Sequence, residues 1–333
     1  MLYLPSEWSR QSFVQLTLPS LSTDWRDDIV NVVRCYRDMA LSISRFEPLV
    51  VIVSDRSIGE EILHGISNAQ VLEAPINDTW ARDHGFITCI DDNECQYMDF
   101  QFNGWGLKFA SNYDNQLNRA LWSSGFLSGT YVDHLDFVLE GGSIESDGHG
   151  TLLTTSSCLL SPNRNNLSKS SIESKLKSLF NAHRVLWLDH GHLLGDDTDG
   201  HIDTLARICP NDTIMYVECN DPDDEHYIDL KAMKSELESF KTLDGIPYRL
   251  VGLPLPDAIY EGDDRLPATY ANFLVVNGGV LYPTYSQPEK DKAACRLLQE
   301  VFPDREIVGI DSLPLIRQHG SLHCCTMQYP SLT

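Results

Sequence analysis

The sequence predicts a single α/β domain, on two observations. Short apolar, β-branched runs recur along the chain, at 49–53, 137–139, 185–188, 213–217, 248–251, 273–276 and 306–310, with the length and composition of buried strands. Between several of them lie helical patterns. Trp25 to Leu41 sets Ile29, Val32, Val33, Tyr36 and Ala40 on one face, and Tyr227 to Phe240 does the same with Leu230, Met233 and Leu237. A third helix is expected to open at Ser170, with Glu173 at capping-box spacing, and to run on through Leu176 and Leu179. Strands alternating with helices over the whole length imply helices layered on sheet, and no low-complexity linker divides the chain. Residues 1–333 are therefore read as one domain. The Asp-, Asn-, Gly- and Pro-rich stretches at 91–94, 221–225 and 261–267 are expected as surface loops. No close sequence repeat is visible, although strand-helix units can recur in structure without one.

The composition narrows the functional classes. A hydrophobic fraction of 42% over 333 residues supports a substantial core. Forty-eight acidic against 25 basic residues give a formal charge of -23, which argues against nucleic acid and anionic membrane as partners, because both require a basic face. It favours cationic ligands only weakly, since acidity also serves solubility. Nine cysteines without a C-x-x-C pair suit reduced thiols in a cytoplasmic protein better than a disulfide framework or a zinc knuckle. The first 20 residues lack a basic segment followed by an apolar run, and no stretch of about 18 apolar residues occurs. Neither export nor a membrane span is expected.

Four segments carry candidate chemistry. HGSLHCCTMQ places Cys324 and Cys325 together; a thiol can attack an electron-poor carbon when its surroundings favour the thiolate, but adjacent cysteines also serve as small core residues. GDDTDGHIDTLARI sets His201 two residues before Asp203, so that on a strand the imidazole and the carboxylate would face one surface. A metal half-site or an acid-rich surface loop fits that pair equally well, although neither H-E-x-x-H nor C-x-x-C supplies further ligands. NDTWARDHGF carries Trp80, Arg82 and Asp83, where core packing and a surface ion pair are the plain alternatives. LEGGSIESDGHGTLLTT carries Glu140 ahead of a double glycine, whose backbone can approach a ligand closely.

Taken together, NDTWARDHG, FNGWGLKF, LEGGSIESDGHGTLLTT, DDTDGHIDTLARI, YANFLVVNGGVLYPTY and GSLHCCTMQ resemble the agmatine deiminases and their bacterial peptidylarginine deiminase relatives, in the family's order from Ala74 to Gln328. The resemblance implies a five-bladed, pseudo-symmetric α/β propeller with its site on the axis. It implies Cys324 as nucleophile, His201 as general acid and base, Asp83 and Asp203 as the guanidinium clamp, and Glu140 supporting His201 or touching substrate. Asn272 would hold the cysteine segment or polarise the reacting centre. Cys325 replaces an aliphatic residue of the family and is expected to pack.

A planar, permanent cation paired with two carboxylates suits this residue set, and a thiol with an imidazole completes a covalent hydrolysis that needs no metal and no cofactor. Asp197 is the candidate contact for the distal amine of agmatine, and Trp80 and Trp105 for the walls of an apolar channel. The expected partner is a small cationic guanidine; a homo-oligomer stays open. Arginine or peptidylarginine deiminase, a related amidinotransferase, and a non-catalytic guanidine- or polyamine-binding protein are the alternatives, and the retained thiol weighs against the last.

Overall fold

The computed structural model describes residues 1–332. Its strands form five sheets of three or four strands, and a small hairpin of Tyr260–Glu261 with Asp264–Arg265 stands apart. One pairing order recurs in all five sheets. Two strands pair antiparallel, and a third joins the second in parallel after a helical crossover, as parallel neighbours require.

Ile144–Ser146, Thr151–Thr155 and Arg184–Leu188 make one such unit, crossed by the helix Lys169–Phe180. Ala206–Cys209, Thr213–Glu218 and Arg249–Pro254 make the next, crossed by Tyr227–Ser239. Leu274–Val276, Gly279–Thr284 and Glu306–Asp311 follow, crossed by Pro288–Val301. Ile87–Asp91, Glu94–Gln101 and Thr130–Val138 form a fourth, to whose edge Leu2–Tyr3 adds. In the fifth, Thr326–Pro330 pairs antiparallel with Gln11–Thr17, which is followed in parallel by Leu49–Val53 and Ala69–Glu73. An early and a late strand of the sequence thus meet in one sheet.

The helices form where their apolar spacing predicts. Ile29–Ser44 buries Val32, Val33, Tyr36, Met39 and Ile43 in one cluster with Val14, Leu16, Leu49 and Val51 of the sheet beneath it. Tyr227–Ser239 buries the expected Leu230, Met233 and Leu237. Each fully buried aliphatic side chain contributes about 1.5–3 kcal/mol.

Four local expectations change. The segment at 137–139 is the end of a nine-residue strand, Thr130–Val138, whose first half is only partly buried and alternates with polar residues, which masks its strand character. The helix Asp24–Asp28 is a tight 3-10 turn that precedes Ile29–Ser44, so the first helix begins later than the pattern suggests. The loop expected at 261–267 contains all of the small hairpin's strand residues except Tyr260. The third helix starts at Lys169, and its cap is Ser168, whose hydroxyl accepts from the Ser171 N–H at 3.2 Å. Glu173 closes no capping box there; it pairs with Lys177 and accepts from the Trp187 indole.

Ser168→Ala should therefore lower stability by about 1 kcal/mol, while Ser170→Ala stays within about 0.3 kcal/mol of wild type. Urea midpoints of the two variants check this, and equal losses would restore Ser170 as the cap.

Candidate active site

Asp83, Glu140, Asp203, Asn272 and Cys324 each stand two to four residues ahead of the opening strand of a different sheet unit. The recurring connection brings them together although they are spread over most of the chain. All five are buried.

Cys324 lies in the turn before Thr326–Pro330 rather than on the strand itself. Its Sγ is 3.4 Å from Asn272 Oδ1 and 3.9 Å from Asp203 Oδ2. The same Asn272 oxygen accepts from the backbone N–H of His323, at 2.9 Å, and of Cys324, at 3.3 Å, which anchors the turn. Cys325 turns the other way and faces the Tyr36 hydroxyl within the core.

His201 and Asp203 also depart from the expected strand. They flank and enter a helical turn, Ile202–Thr204, which still points both side chains into the site. Gly142 packs against them so closely that a Cβ there would sit 2.6 Å from His201 Nδ1, 2.9 Å from Asp83 Oδ1 and 3.1 Å from Asp203 Oδ2. Gly142 is thus required by the three side chains that converge on it, and Gly141 by the Arg82 carbonyl and the Met327 side chain. Both ring nitrogens of His201, and Asp203 Oδ1, are buried without hydrogen-bond partners. Buried polar atoms left open in this way mark where a polar ligand belongs.

Asp83 is oriented from two sides. The Trp105 indole N–H donates to its Oδ2 at 3.0 Å, the Gly142 N–H donates to its Oδ1 at 3.2 Å, and His201 Nδ1 stands 3.5 Å from Oδ1. It makes no ion pair with Arg82, which is buried and bonds instead to Gln328 and to the carbonyl of His323. The surface-pair reading of those two neighbours is overturned.

Glu140 meets neither Asp83 nor the cavity directly. Both of its oxygens accept from Arg164 Nε at 3.0 Å, and Arg164 Nη1 continues to Asp199. Glu140, Cys158 and His201 bring one potential ligand atom each within 4.8 Å of one another. A metal ion there would have to share Glu140 with a guanidinium cation, so the donor set fits a metal poorly.

Electrostatics follow from burial. Burial pushes the Cys324 thiol well above its usual value, and the carboxylates of Asp203 and Asp83 push it further. Burial likewise raises Asp83, to about 6. Burial opposes the charged form of His201, but the Asp83 carboxylate and Cys158 outweigh it and lift the imidazole to about 10. For Asp203, burial is overcome by the hydrogen bond and charge of His323, and the carboxyl stays below the usual range.

The cavity above Cys324 encloses about 150 Å³. Trp80, Trp105 and Phe109 form walls, and Asp197 stands on the rim. The two aromatic loops are tied together by Asn77 and Asp114. Asp114 accepts from the N–H groups of Asn77 and Asp78 at 2.7 and 3.0 Å, and Asn77 Oδ1 accepts from those of Tyr113 and Asp114.

Sequence reasoning named no role for the groups behind the site. Asp203 Oδ2 bonds His323 Nδ1 at 2.7 Å, His323 Nε2 bonds Glu7 at 2.8 Å, and Arg207 bridges Glu7 to Glu145. His323, Arg207 and Glu145 lie inside motifs already conspicuous in the sequence, but Glu7 carries no local signal. Their role exists only once distant strands are paired.

Comparison with known proteins agrees with this geometry. The model of the Porphyromonas-type peptidyl-arginine deiminase family matches residues 3–330. The agmatine deiminase of Stutzerimonas stutzeri is 31% identical, over 99% of this chain and 95% of that one. The Campylobacter jejuni agmatine deiminase, solved as a cysteine-to-serine variant with substrate bound, superposes with a TM-score of 0.93 at 37% identity, covering 99% of this chain and 96% of that one. A provisionally named arginine deiminase of Porphyromonas gingivalis superposes with a TM-score of 0.92 at 50% identity, over 99% and 98% of the two chains. Fold and site together place the protein among the guanidine-modifying enzymes, hydrolases of amidine C–N bonds. Within them, the chain belongs to the Porphyromonas-type peptidyl-arginine deiminase family.

Because Asp83 helps to hold the proton on Cys324, Asp83→Asn should raise the rate at which iodoacetamide modifies Cys324 at about pH 7.5 by about threefold or more. In wild type the rate should climb steadily from about pH 7 to 9. A wild-type rate already flat below about pH 7 would instead reveal a pre-formed thiolate.

Proposed function

We propose that the protein is an agmatine deiminase of the cytoplasm, converting agmatine and water to N-carbamoylputrescine and ammonia. One observation supports this reading best. The cavity wall includes Asp24, Asp78, Asp83 and Asp197 and no lysine or arginine. A ligand cationic at both ends suits that wall, whereas the carboxylate of free arginine would face four acids and a single histidine, His319, whose Nδ1 already stands 3.9 Å from Asp197.

In this reading the guanidinium lies between Asp83 and the open Oδ1 of Asp203, with its central carbon facing Cys324. Two carboxylates fix a planar cation bidentately. The bound cation also offsets the negative charge that keeps the thiol protonated, so the thiol releases its proton to solvent and the thiolate forms when substrate arrives. Attack of Sγ on the carbon gives a tetrahedral adduct. His201 donates a proton to one nitrogen, which leaves as ammonia, and an S-alkylthiouronium remains. His201 then takes a proton from water as its oxygen adds to the same carbon, and the C–S bond breaks with its electron pair on sulfur, which takes up the adduct's hydroxyl proton as the ureido carbonyl forms. Asn272 holds the cysteine turn, and Glu140, fixed by Arg164, backs His201. Trp80 and Trp105 flank the aliphatic linker, and Asp197 receives the distal amine. The steps draw on side chains of this chain and on water, without a metal or cofactor.

The five repeated sheet units support a five-bladed arrangement of one domain around the site. Among the described residues no helix is long and apolar enough to cross a membrane. A homo-oligomer fits the reading equally with a monomer.

A second reading, peptidyl-arginine, has one observation in its favour. At Asp24, Asp78 and Phe109 the cavity continues into a shallow groove of about 710 Å³, which could carry flanking chain. Incubation with agmatine, arginine and a blocked arginine peptide, followed by ammonia and the ureido product, separates the readings. Agmatine should be turned over fastest, and peptide exceeding agmatine would reverse the assignment. Adding acceptor amines tests amidino transfer, which would lower ammonia release.

Cys324→Ser should abolish turnover, whereas Cys325→Ser keeps most of it, because only the first thiol faces the cavity; equal loss in two folded variants would sink a single nucleophile. Asp197 is 42% exposed, so its contact with an amine belongs at the weak end of charged contacts. Asp197→Asn should lower kcat/KM for agmatine by about tenfold and leave butylguanidine, which lacks the amine, within about twofold. Equal falls for both would show that Asp197 only supports the His201 loop.

A further inference from the structure

Above the cavity, four consecutive residues have left-handed backbone: Gly104 at φ 68°, Trp105 at 54°, Gly106 at 79° and Leu107 at 68°. Glycine is needed at 104, where a Cβ would meet the Phe109 carbonyl oxygen at 2.2 Å. Trp105 and Leu107 have no such excuse, since left-handed backbone brings their Cβ too close to the following carbonyl. A run of this kind persists only when its surroundings over-determine it, and such strain collects at ligand-binding sites.

The bonds that hold this turn reach both ends of the cavity. Asn103 Oδ1 accepts from the Gly106 N–H at 2.9 Å and closes the turn on itself. Trp105 Nε1 donates to Asp83 beside Cys324. Three residues on, Lys108 Nζ donates to the backbone carbonyl of Asp197 and to Asp199 Oδ1, each at 2.6 Å. Asp199 passes the tie to Arg164, which grips Glu140. Asp199 itself has a left-handed backbone, at φ 66°, so this loop too is held in an unfavourable shape. Lys108 does not face the cavity, and its charge is taken up by Asp199.

We propose that Lys108 is a positioning residue that sets the distance between Asp83 and Asp197, and through it the length of guanidinoalkylamine the enzyme accepts. This inference rests on the agmatine reading above, with Asp197 at the amine. The turn acts as a rigid spacer. Its tryptophan fixes the acid at the guanidinium end, and its lysine fixes the backbone of the acid at the amine end. A substrate one methylene shorter or longer then cannot satisfy both acids at once. Without the lysine tie the Asp197 loop can shift to follow the amine, and selectivity is lost while chemistry at Cys324 continues.

The test uses wild type, Lys108→Met and Lys108→Arg with three guanidinoalkylamines whose linkers hold three, four and five methylenes, four being agmatine. The readout is the ratio of kcat/KM for four methylenes to that for three and for five. Lys108→Met should reduce these ratios by about tenfold, chiefly through a higher KM for agmatine, with the shorter and longer substrates within about twofold of wild type. Lys108→Arg, which keeps a donor at similar reach, should retain most of the selectivity. A uniform fall across the three substrates would mean that Lys108 only supports the fold, and unchanged ratios would mean that it does not set the spacing; either result overturns the inference. If wild type turns over none of the three but acts on the arginine peptide, the agmatine reading fails and takes the inference with it, an outcome distinct from a selective wild type with an indifferent variant.

Discussion

The hydrogen bond between Asp203 and His323, 2.7 Å long and sealed from water, carries the rest of the site. An unpaired carboxylate in that position would cost several kcal/mol and would take up a proton instead. His323 holds one oxygen ionised and leaves the other free for a cation. His323 is in turn held by Glu7, and Glu7 by Arg207, so that charge is balanced step by step away from the cavity. The thiol experiences the opposite setting. Buried and surrounded by acids, the Cys324 thiol is pushed well above its usual range. The acids that disfavour the thiolate also form a negative face, so a cation bound there would ease ionisation of Cys324.

The chain reaches this arrangement by repetition. Each sheet unit opens just after a loop whose last residues face a common centre, and each of the five loops contributes one of the named side chains. No single loop could present so many polar groups, since its own backbone would compete for the space. Spreading them over five connections lets every group rest on a different strand. Gly141 and Gly142 show how tight the convergence is. There the backbone passes between Arg82 on one side and the three polar side chains on the other, and no β-carbon fits.

Much of this was legible from the sequence. Strands such as Leu49–Val53 and the buried stripe of Tyr227–Ser239 stand out because apolar spacing alone determines them. The polar residues of the cavity were legible through a resemblance of whole motifs, not through local chemistry; Glu140 before two glycines says little by itself. What stayed hidden depended on pairing across the chain. Arg164 reaches Glu140 from 24 positions away and Glu7 meets His323 from 316 away, and neither distance leaves a pattern in one sequence. Backbone shape was hidden too. His201 and Asp203 lie two apart, which suits a strand, but the turn at 202–204 is set by the bond from the Thr204 N–H to the His201 carbonyl.

The sheet that joins Thr326–Pro330 to Gln11–Thr17 has a consequence for biogenesis. On the ribosome the segment bearing Cys324 emerges after the other four, and its partner strand Gln11–Thr17 waits while the other four sheet units are made. A nascent chain can assemble the acid-rich cup, but the Cys324 thiol joins it only when Thr326–Pro330 docks. The partly made protein therefore leaves one edge of Gln11–Thr17 unpaired in the interval.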